Sequence, residues 1–326
     1  MTAPLPQEKN LTGDLRFPQS GALLVDKPVD LTTNDVVYRT RKALSAGKRL
    51  PWGFKIGHGG TLDPFATGVT VIFYGEATKL ANAYLRSSKI YSGLMQLGQQ
   101  TDTADHTGSM VAEALVPTIT LEDWRALARE FTSSEYLQTP PMYSAKKVKG
   151  QALHHIARQG REIEREAIAK QITRFDLEAV PGRADQLRFI VNCESGTYVR
   201  TLAEDLAKRA GTHAHLRELR RESSSDCSLR DCVSLEEAVA LLSSDQDPSL
   251  FRFVRSTSQL ATHLAARTLA PDGEAALRRG LSKKFGLEID QFNEQFPDAE
   301  YGLLRAADQF PVGLIHKGKL QRVINR

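Results

Sequence analysis

Apolar and polar positions along the chain fall into short runs whose spacing changes from element to element. Ala22-Leu23-Leu24-Val25 is a continuous apolar run closed by Asp26-Lys27-Pro28. That is the pattern of a buried strand stopped by a proline. Thr32, with Asp35 three residues on, predicts a capping box and a helix reaching about Ser45. Val69 to Tyr74 is β-branched and aromatic, a second buried strand, and Gly75 breaks it. Glu76 to Ser87 predicts a helix whose apolar face is Ala77, Leu80, Ala81, Tyr84 and Leu85, at helical spacing. In Lys89 to Leu97 the period changes to two, which places Tyr91, Gly93, Met95 and Leu97 on one side. Leu121 to Phe131 predicts a helix. Leu187, Phe189, Val191 and Cys193 alternate with Arg188, Ile190, Asn192 and Glu194, a half-buried strand. Ser195-Gly196-Thr197 turns the chain, and Val199, Leu202, Ala203 and Leu206 recur at helical spacing up to a terminal Gly211. Tyr198 and Arg200 therefore sit at a strand-to-helix junction, where side chains can point into a cleft.

Composition shifts after the turn Asp245-Gln246-Asp247-Pro248. Residues 251–326 alternate short apolar runs with glycines, which predicts a small β-rich domain. They carry 12 Lys+Arg against 8 Asp+Glu, while residues 1–250 balance at 31 each. The net charge of +4 is modest, but cations cluster at Arg39-x-Arg41-Lys42, Lys48-Arg49, Lys146-Lys147-x-Lys149 and Arg217-x-x-Arg220-Arg221. Any one cluster suits a solvated face; several on one groove would suit RNA. Hydrophobic content of 41% with 25% charge is that of a globular protein with a real core. No run approaches the ~18 apolar residues of a membrane span, and residues 1–19 read as a flexible polar tail without a signal peptide's apolar core. The expectation is a cytoplasmic protein with no membrane association. Cys193, Cys227 and Cys232 fit neither a disulfide framework nor a metal spacing, so no metal is expected.

The densest chemistry is in Gly57-His58-Gly59-Gly60-Thr61-Leu62-Asp63-Pro64-Phe65-Ala66-Thr67-Gly68. Glycines let such a loop approach a ligand closely, and the proline after Asp63 restricts that residue to extended or turn conformations. A phosphate-binding loop would need Lys-Ser/Thr after the glycines, and an esterase would need a Gly-x-Ser-x-Gly elbow; the chain has neither. The stretch resembles the signature loop of the TruB family, the tRNA pseudouridine-55 synthases of bacterial type, where a Gly-His-x-Gly-x-Leu-Asp-Pro-x-Ala-x-Gly run presents the catalytic aspartate. At Gly59 and Thr61 it is closer to the archaeal and eukaryotic branch. Lys27-Pro28, the polar turn Gln99 to Gly108, Gln138 to Lys146, the run Cys193 to Ala203 and His215 to Arg221 resemble further family stretches in collinear order over about residues 20–240. The lysine stem of Lys27 can pack beneath the signature loop. The turn Gln99 to Gly108 lacks the oxygen spacing of a calcium loop and is assigned no chemistry.

This resemblance implies an α+β fold: a mixed, largely antiparallel sheet with flanking helices forming an RNA-binding cleft. It implies a catalytic domain over 20–250 with an RNA-gripping insertion at about 138–170. A small C-terminal domain of PUA-like type would occupy 251–326. The implied reaction turns one uridine in the T loop of tRNA, position 55, into pseudouridine, without cofactor or obligatory protein partner. In this reading Asp63 is the catalytic carboxylate and Arg200 its cationic partner. Tyr91 stacks on the extruded base, Tyr198 and Leu219 line its pocket, and His58 contacts the substrate stem. Taken alone, Tyr91 and Leu219 read as core and Arg200 as a helix-end surface residue. An RNA N-glycosidase would favour a second carboxylate to activate water, which the matched motifs do not supply. An RNA chaperone that folds tRNA without relying on catalysis is the non-enzymatic alternative.

Overall fold

A computed structural model of the chain describes residues 17–50, 53–144, 146–148, 151–157, 159–244 and 248–325. The expected tail lies almost wholly outside the described residues, as does Lys149 of the basic segment. The chain divides into two compact units. One holds the chain up to Pro64, Gly68–Leu85 and everything from Ser224 on; the other holds Phe65–Thr67 and Arg86–Ser223.

In the first unit the strand Gly21–Lys27 runs antiparallel to Thr67–Tyr74 and parallel to Val233–Ser234. Ile56–His58 adds to Thr67–Tyr74, and Val254–Ser256 to Gly21–Lys27. Both central strands are buried on both faces, which is why they read as continuous apolar runs and not as alternating ones. Alternation then feeds two cores. Ala22, Leu24, Val69, Val71 and Phe73 meet Ala77, Leu80 and Tyr84 on one side, together with Leu260, Tyr301, Leu303 and Leu314. Leu23, Val25, Ile72 and Tyr74 face the other way, onto Val36, Ala43 and Leu44 of the helix Thr33–Ala46 and onto Ala238 and Leu242 of the helix Leu235–Ser243. The capping box at Thr32 and Asp35 forms as its spacing predicts.

One segment departs from its pattern. Glu76 to Ser87 is not a single α-helix: Gly75–Leu80 is a 3-10 turn, followed by a short helix Ala81–Leu85. Three residues per turn bury Ala77 and Leu80 in register, the short helix buries Ala83 and Tyr84, and Leu85 is exposed. Tyr84 stays buried because its hydroxyl accepts the Ala261 N–H at 2.8 Å.

The C-terminal segment forms a four-stranded sheet in the order Ala265–Thr268, Tyr301–Arg305, Pro311–His316, Lys319–Val323. It also contains two helices that the Gly-punctuated pattern did not predict, Pro271–Arg278 and Ser282–Gln295. Their signal was present in Phe285, Ile289 and Phe292, which pack with Leu277, Leu304, Val312 and Ile315.

The second unit is built on strands in the order Ile172–Val180, Arg183–Cys193, Lys89–Leu97, Ala214–Ser224, the first three antiparallel. Leu187, Phe189, Val191 and Cys193 are buried and Arg188 is exposed, as the alternation requires. Phe131 of the helix Leu121–Ser133 meets Phe175 edge-on at 6.0 Å between ring centroids. The expected α+β class with largely antiparallel pairing holds. No helix among the described residues is long and apolar enough to cross a membrane.

Candidate active site

The Gly-rich loop is set by its own backbone and by one buried lysine. His58 ends the strand Ile56–His58, and the N–H of Gly59 donates to the carbonyl of Val71 at 3.0 Å. A Cβ at Gly59 would come within 2.8 Å of the Phe73 ring, so close packing beneath the loop requires glycine here. The Gly60 N–H donates to Nδ1 of His58 at 3.3 Å, which leaves the ring proton on Nε2 while that bond is made. Leu62 donates its N–H to the Thr33 hydroxyl at 2.9 Å, which ties the loop to the first residue of the adjoining helix.

Lys27 is fully buried beneath this turn. Its ammonium donates to the carbonyls of Pro28, Leu31 and Pro64 at 2.8, 2.7 and 3.0 Å. The Asp30 N–H reaches the same Pro64 carbonyl at 2.9 Å. The residue after Asp63 is thus gripped by two donors, one of them charged, and the half-buried Asp63 is held on a stiff backbone. The role expected for Lys27 from sequence is the one it has, but the head group does more than the stem. The chain passes from one unit to the other just after this point, between Pro64 and Phe65.

The other expected site residues belong to the second unit. Tyr91 is half-buried on the strand Lys89–Leu97, in register with the fully buried Val191. Leu219 is buried on the neighbouring strand Ala214–Ser224. Gly93 lets these two strands approach: a Cβ there would lie 2.3 Å from the Glu218 carbonyl oxygen. Tyr198 is the N-cap of the helix Val199–Arg209 but offers that helix no side-chain cap. The Gln138 side chain binds it instead, accepting the Tyr198 N–H at 2.8 Å and donating to the Tyr198 carbonyl at 3.0 Å.

Arg200 is only 3% exposed. Its guanidinium donates to the carbonyls of Thr103 and Tyr143, the latter at 2.8 Å, and lies 3.7 Å from the Asp105 carboxylate. Asp105 is buried as well, and its other oxygen accepts from the hydroxyls of Thr103 and Thr107 and from the Thr107 N–H at 3.0 Å. A buried guanidinium needs such a counter-charge, and a buried carboxylate needs its lone pairs filled. The turn Gln99 to Gly108, assigned no chemistry from sequence, therefore supplies the acidic partner of Arg200. Asp105 and Gln138 are the two residues that sequence reasoning missed. The available signal for Asp105 was an acid inside a Thr-rich turn.

Lys89, two residues before Tyr91, is also buried. Burial and the nearby charge of Arg221 push its ammonium down to about 7, against a smaller opposing pull from Cys193. Cys193 is its register partner and a free thiol that burial pushes up to about 12. Lys89 was not singled out from sequence, whereas Cys193 was expected on the inward face of its strand and outside any disulfide, as found.

The family model described as TruB family pseudouridylate synthase (N terminal domain) matches residues 46–199. A tRNA pseudouridine synthase B from Geobacter sulfurreducens is 40% identical over 268 residues, 80% of this chain and 82% of that protein. The protein of the same name from Opitutus terrae is 41% identical over 223 residues, 68% and 88% of the two chains. Among solved structures, a chain in the crystal structure of a Cbf5-Nop10-Gar1 complex matches with a TM-score of 0.65 at 20% identity, over 98% of this chain and 90% of that one. That match is one of fold.

Proposed function

The chain belongs to the TruB family of pseudouridylate synthases, and from that membership we propose that it isomerises uridine 55 in the T loop of tRNA, in the cytoplasm. The N1–C1′ bond breaks, the base turns, and C5 bonds to C1′; a proton leaves C5 and N1 is protonated, so nothing is gained or lost overall. Asp63 acts on the sugar side, where positive charge develops as the glycosidic bond breaks. Tyr91 stacks on the extruded base, Tyr198 and Leu219 line the pocket, and His58 contacts the stem of the substrate. Arg200 is the cation that favours an ionised carboxylate in the site; its bonds to Thr103 and Tyr143 use two of its five N–H groups, and Asp105 lies 3.7 Å away. Extruding the uridine costs a few kcal/mol, and stacking on an aromatic ring, at about 1–3 kcal/mol, offsets much of it. The domain scheme proposed with this reaction is a catalytic part over 20–250, with a gripping insertion at about 138–170, and a PUA-like part over 251–326.

The observation that carries the reading is the Asp63 loop, stiffened by Lys27, in a chain 40% identical over most of its length to a named tRNA pseudouridine synthase B. Tritium release from tRNA labelled at C5 of uridine tests it. Release with the label lost and no free uracil is the expected result. Free uracil would mean a glycosidase, and binding with neither product would mean an RNA chaperone.

A further inference from the structure

The helix Thr33–Ala46 buries Val36, Thr40, Ala43 and Leu44, and its outer face is basic. Residues 28–55 carry six Lys+Arg against two Asp+Glu. One of those acids, Asp35, is committed to the capping box, accepting from the Thr32 N–H and hydroxyl at 2.8 and 2.6 Å. Of the six cations, Arg49 is used inside the fold, donating to the Ser244 carbonyl at 2.8 Å. The other five, Arg39, Arg41, Lys42, Lys48 and Lys55, are exposed, and none makes an ion pair among the described residues; Arg41 donates to the Phe54 carbonyl at 3.4 Å and lies over its ring at 5.7 Å. Ordinary solvated surface looks different on this chain: Arg125 and Arg129 of the helix Leu121–Ser133 both pair with Glu122.

Amid these cations stands Tyr38, 65% exposed and followed at three and four residues by Arg41 and Lys42. On a helix those spacings share one face. An aromatic ring left in water among unpaired cations suits a chain that is both anionic and lined with flat bases. The face is also fixed to the Asp63 loop, because Thr33 and Leu62 are bonded. From that anchor fourteen residues extend it by about 21 Å.

We propose that this helix face is a separate RNA-gripping surface, which holds phosphates of the substrate RNA away from the rearranged uridine and stacks Tyr38 against it. The proposal rests on the reading that the chain acts on RNA. The five cations contact backbone phosphates, so their contribution is independent of sequence and sensitive to salt. Tyr38 contributes stacking, which salt barely touches.

Filter binding of full-length tRNA at 50–200 mM salt tests this with three folded variants. Replacing Arg39 and Lys42 together by Ala should weaken binding on the order of tenfold at low salt. It should also flatten the plot of log affinity against log salt by about 0.7–0.9 per phosphate contact removed. Tyr38→Ala should weaken binding on the order of tenfold with the slope unchanged, within the range of one lost base stack. Replacing Arg125 and Arg129 by Ala, an equal loss of charge, should leave the slope as it was. Wild-type affinity and slope in the Arg39/Lys42 variant would overturn the proposal, and so would an equal effect from the Arg125/Arg129 variant. An acidic protein as the true occupant would show itself as the first of these outcomes. The reaction is judged separately by tritium release from the wild-type chain. A protein that binds tRNA and releases no tritium fails the reaction while this surface stays testable, and one that binds no tRNA overturns both.

Discussion

Gln138 holds the backbone of Tyr198 at both ends, accepting from its N–H at 2.8 Å and donating to its carbonyl at 3.0 Å. The amide is 1% exposed, and its nitrogen also reaches the Tyr136 hydroxyl at 3.1 Å. That hydroxyl in turn donates to Asp205 within the helix that Tyr198 opens. One side chain thereby replaces the missing N-cap and sets the start of the helix that carries Arg200.

Gln138→Met keeps the length and removes both bonds. The expected cost is about 2 kcal/mol, that of a lost cap and an unmet buried group. Single-turnover isomerisation should slow on the order of tenfold, with Gln138→Glu intermediate because it retains the acceptor. Urea denaturation and tritium release measure the two effects. A folded Met variant reacting at the wild-type rate would show that Tyr198 and Arg200 hold their places without this residue.

Asp63→Asn should abolish turnover and leave tRNA affinity within about tenfold, roughly 1.4 kcal/mol. The substitution conserves shape, so the loop held by Lys27 and Thr33 is expected to persist. Turnover near wild type, measured by tritium release, would remove Asp63 from the reaction.

Tyr91 is half-buried on a sheet strand, so a core role and a base-stacking role make different predictions. Tyr91→Phe keeps the ring and should cost under about 1.5 kcal/mol of stability in either case. If the hydroxyl moves a proton, activity falls on the order of 10²-fold with binding retained. Tyr91→Leu should also weaken binding. Unchanged binding and rate in a folded Leu variant would return Tyr91 to the core.

Lys89 gives stability a pH dependence. Its folded value of about 7 lies below the ~10.4 of an unfolded lysine, so between them the unfolded chain holds more protons. Stability therefore rises with pH from about 7 to about 10, at up to ~1.4 kcal/mol per pH unit from this group. Lys89→Met should flatten that rise in urea denaturation curves measured at pH 6 to 10. Parallel curves for variant and wild type would show that Lys89 keeps its charge in the fold.

Much of the scaffold was legible because it is local. The runs Ala22 to Val25 and Val69 to Tyr74 announce strands buried on both faces, and the Thr32–Asp35 box opens its helix as spacing requires. The Asp63 loop was legible for the same reason, since its glycines and proline answer backbone needs within a few residues. Lys27 was placed beneath it in advance, although the three carbonyls that bind its ammonium were not. The 3-10 turn at Gly75–Leu80 was misread because six residues barely separate a period of three from 3.6, and the Tyr84–Ala261 bond that pins the segment comes from far along the chain. Arg200 with Asp105, and Gln138 with Tyr198, were not legible at all. A polar side chain carries no periodic mark of burial, and its partner is chosen only when distant segments are brought together with water excluded. The sequence by itself determined the strands, the caps and the loop that presents Asp63. Only the tertiary structure decided which buried polar groups satisfy one another, because that pairing is a long-range demand that no local pattern encodes.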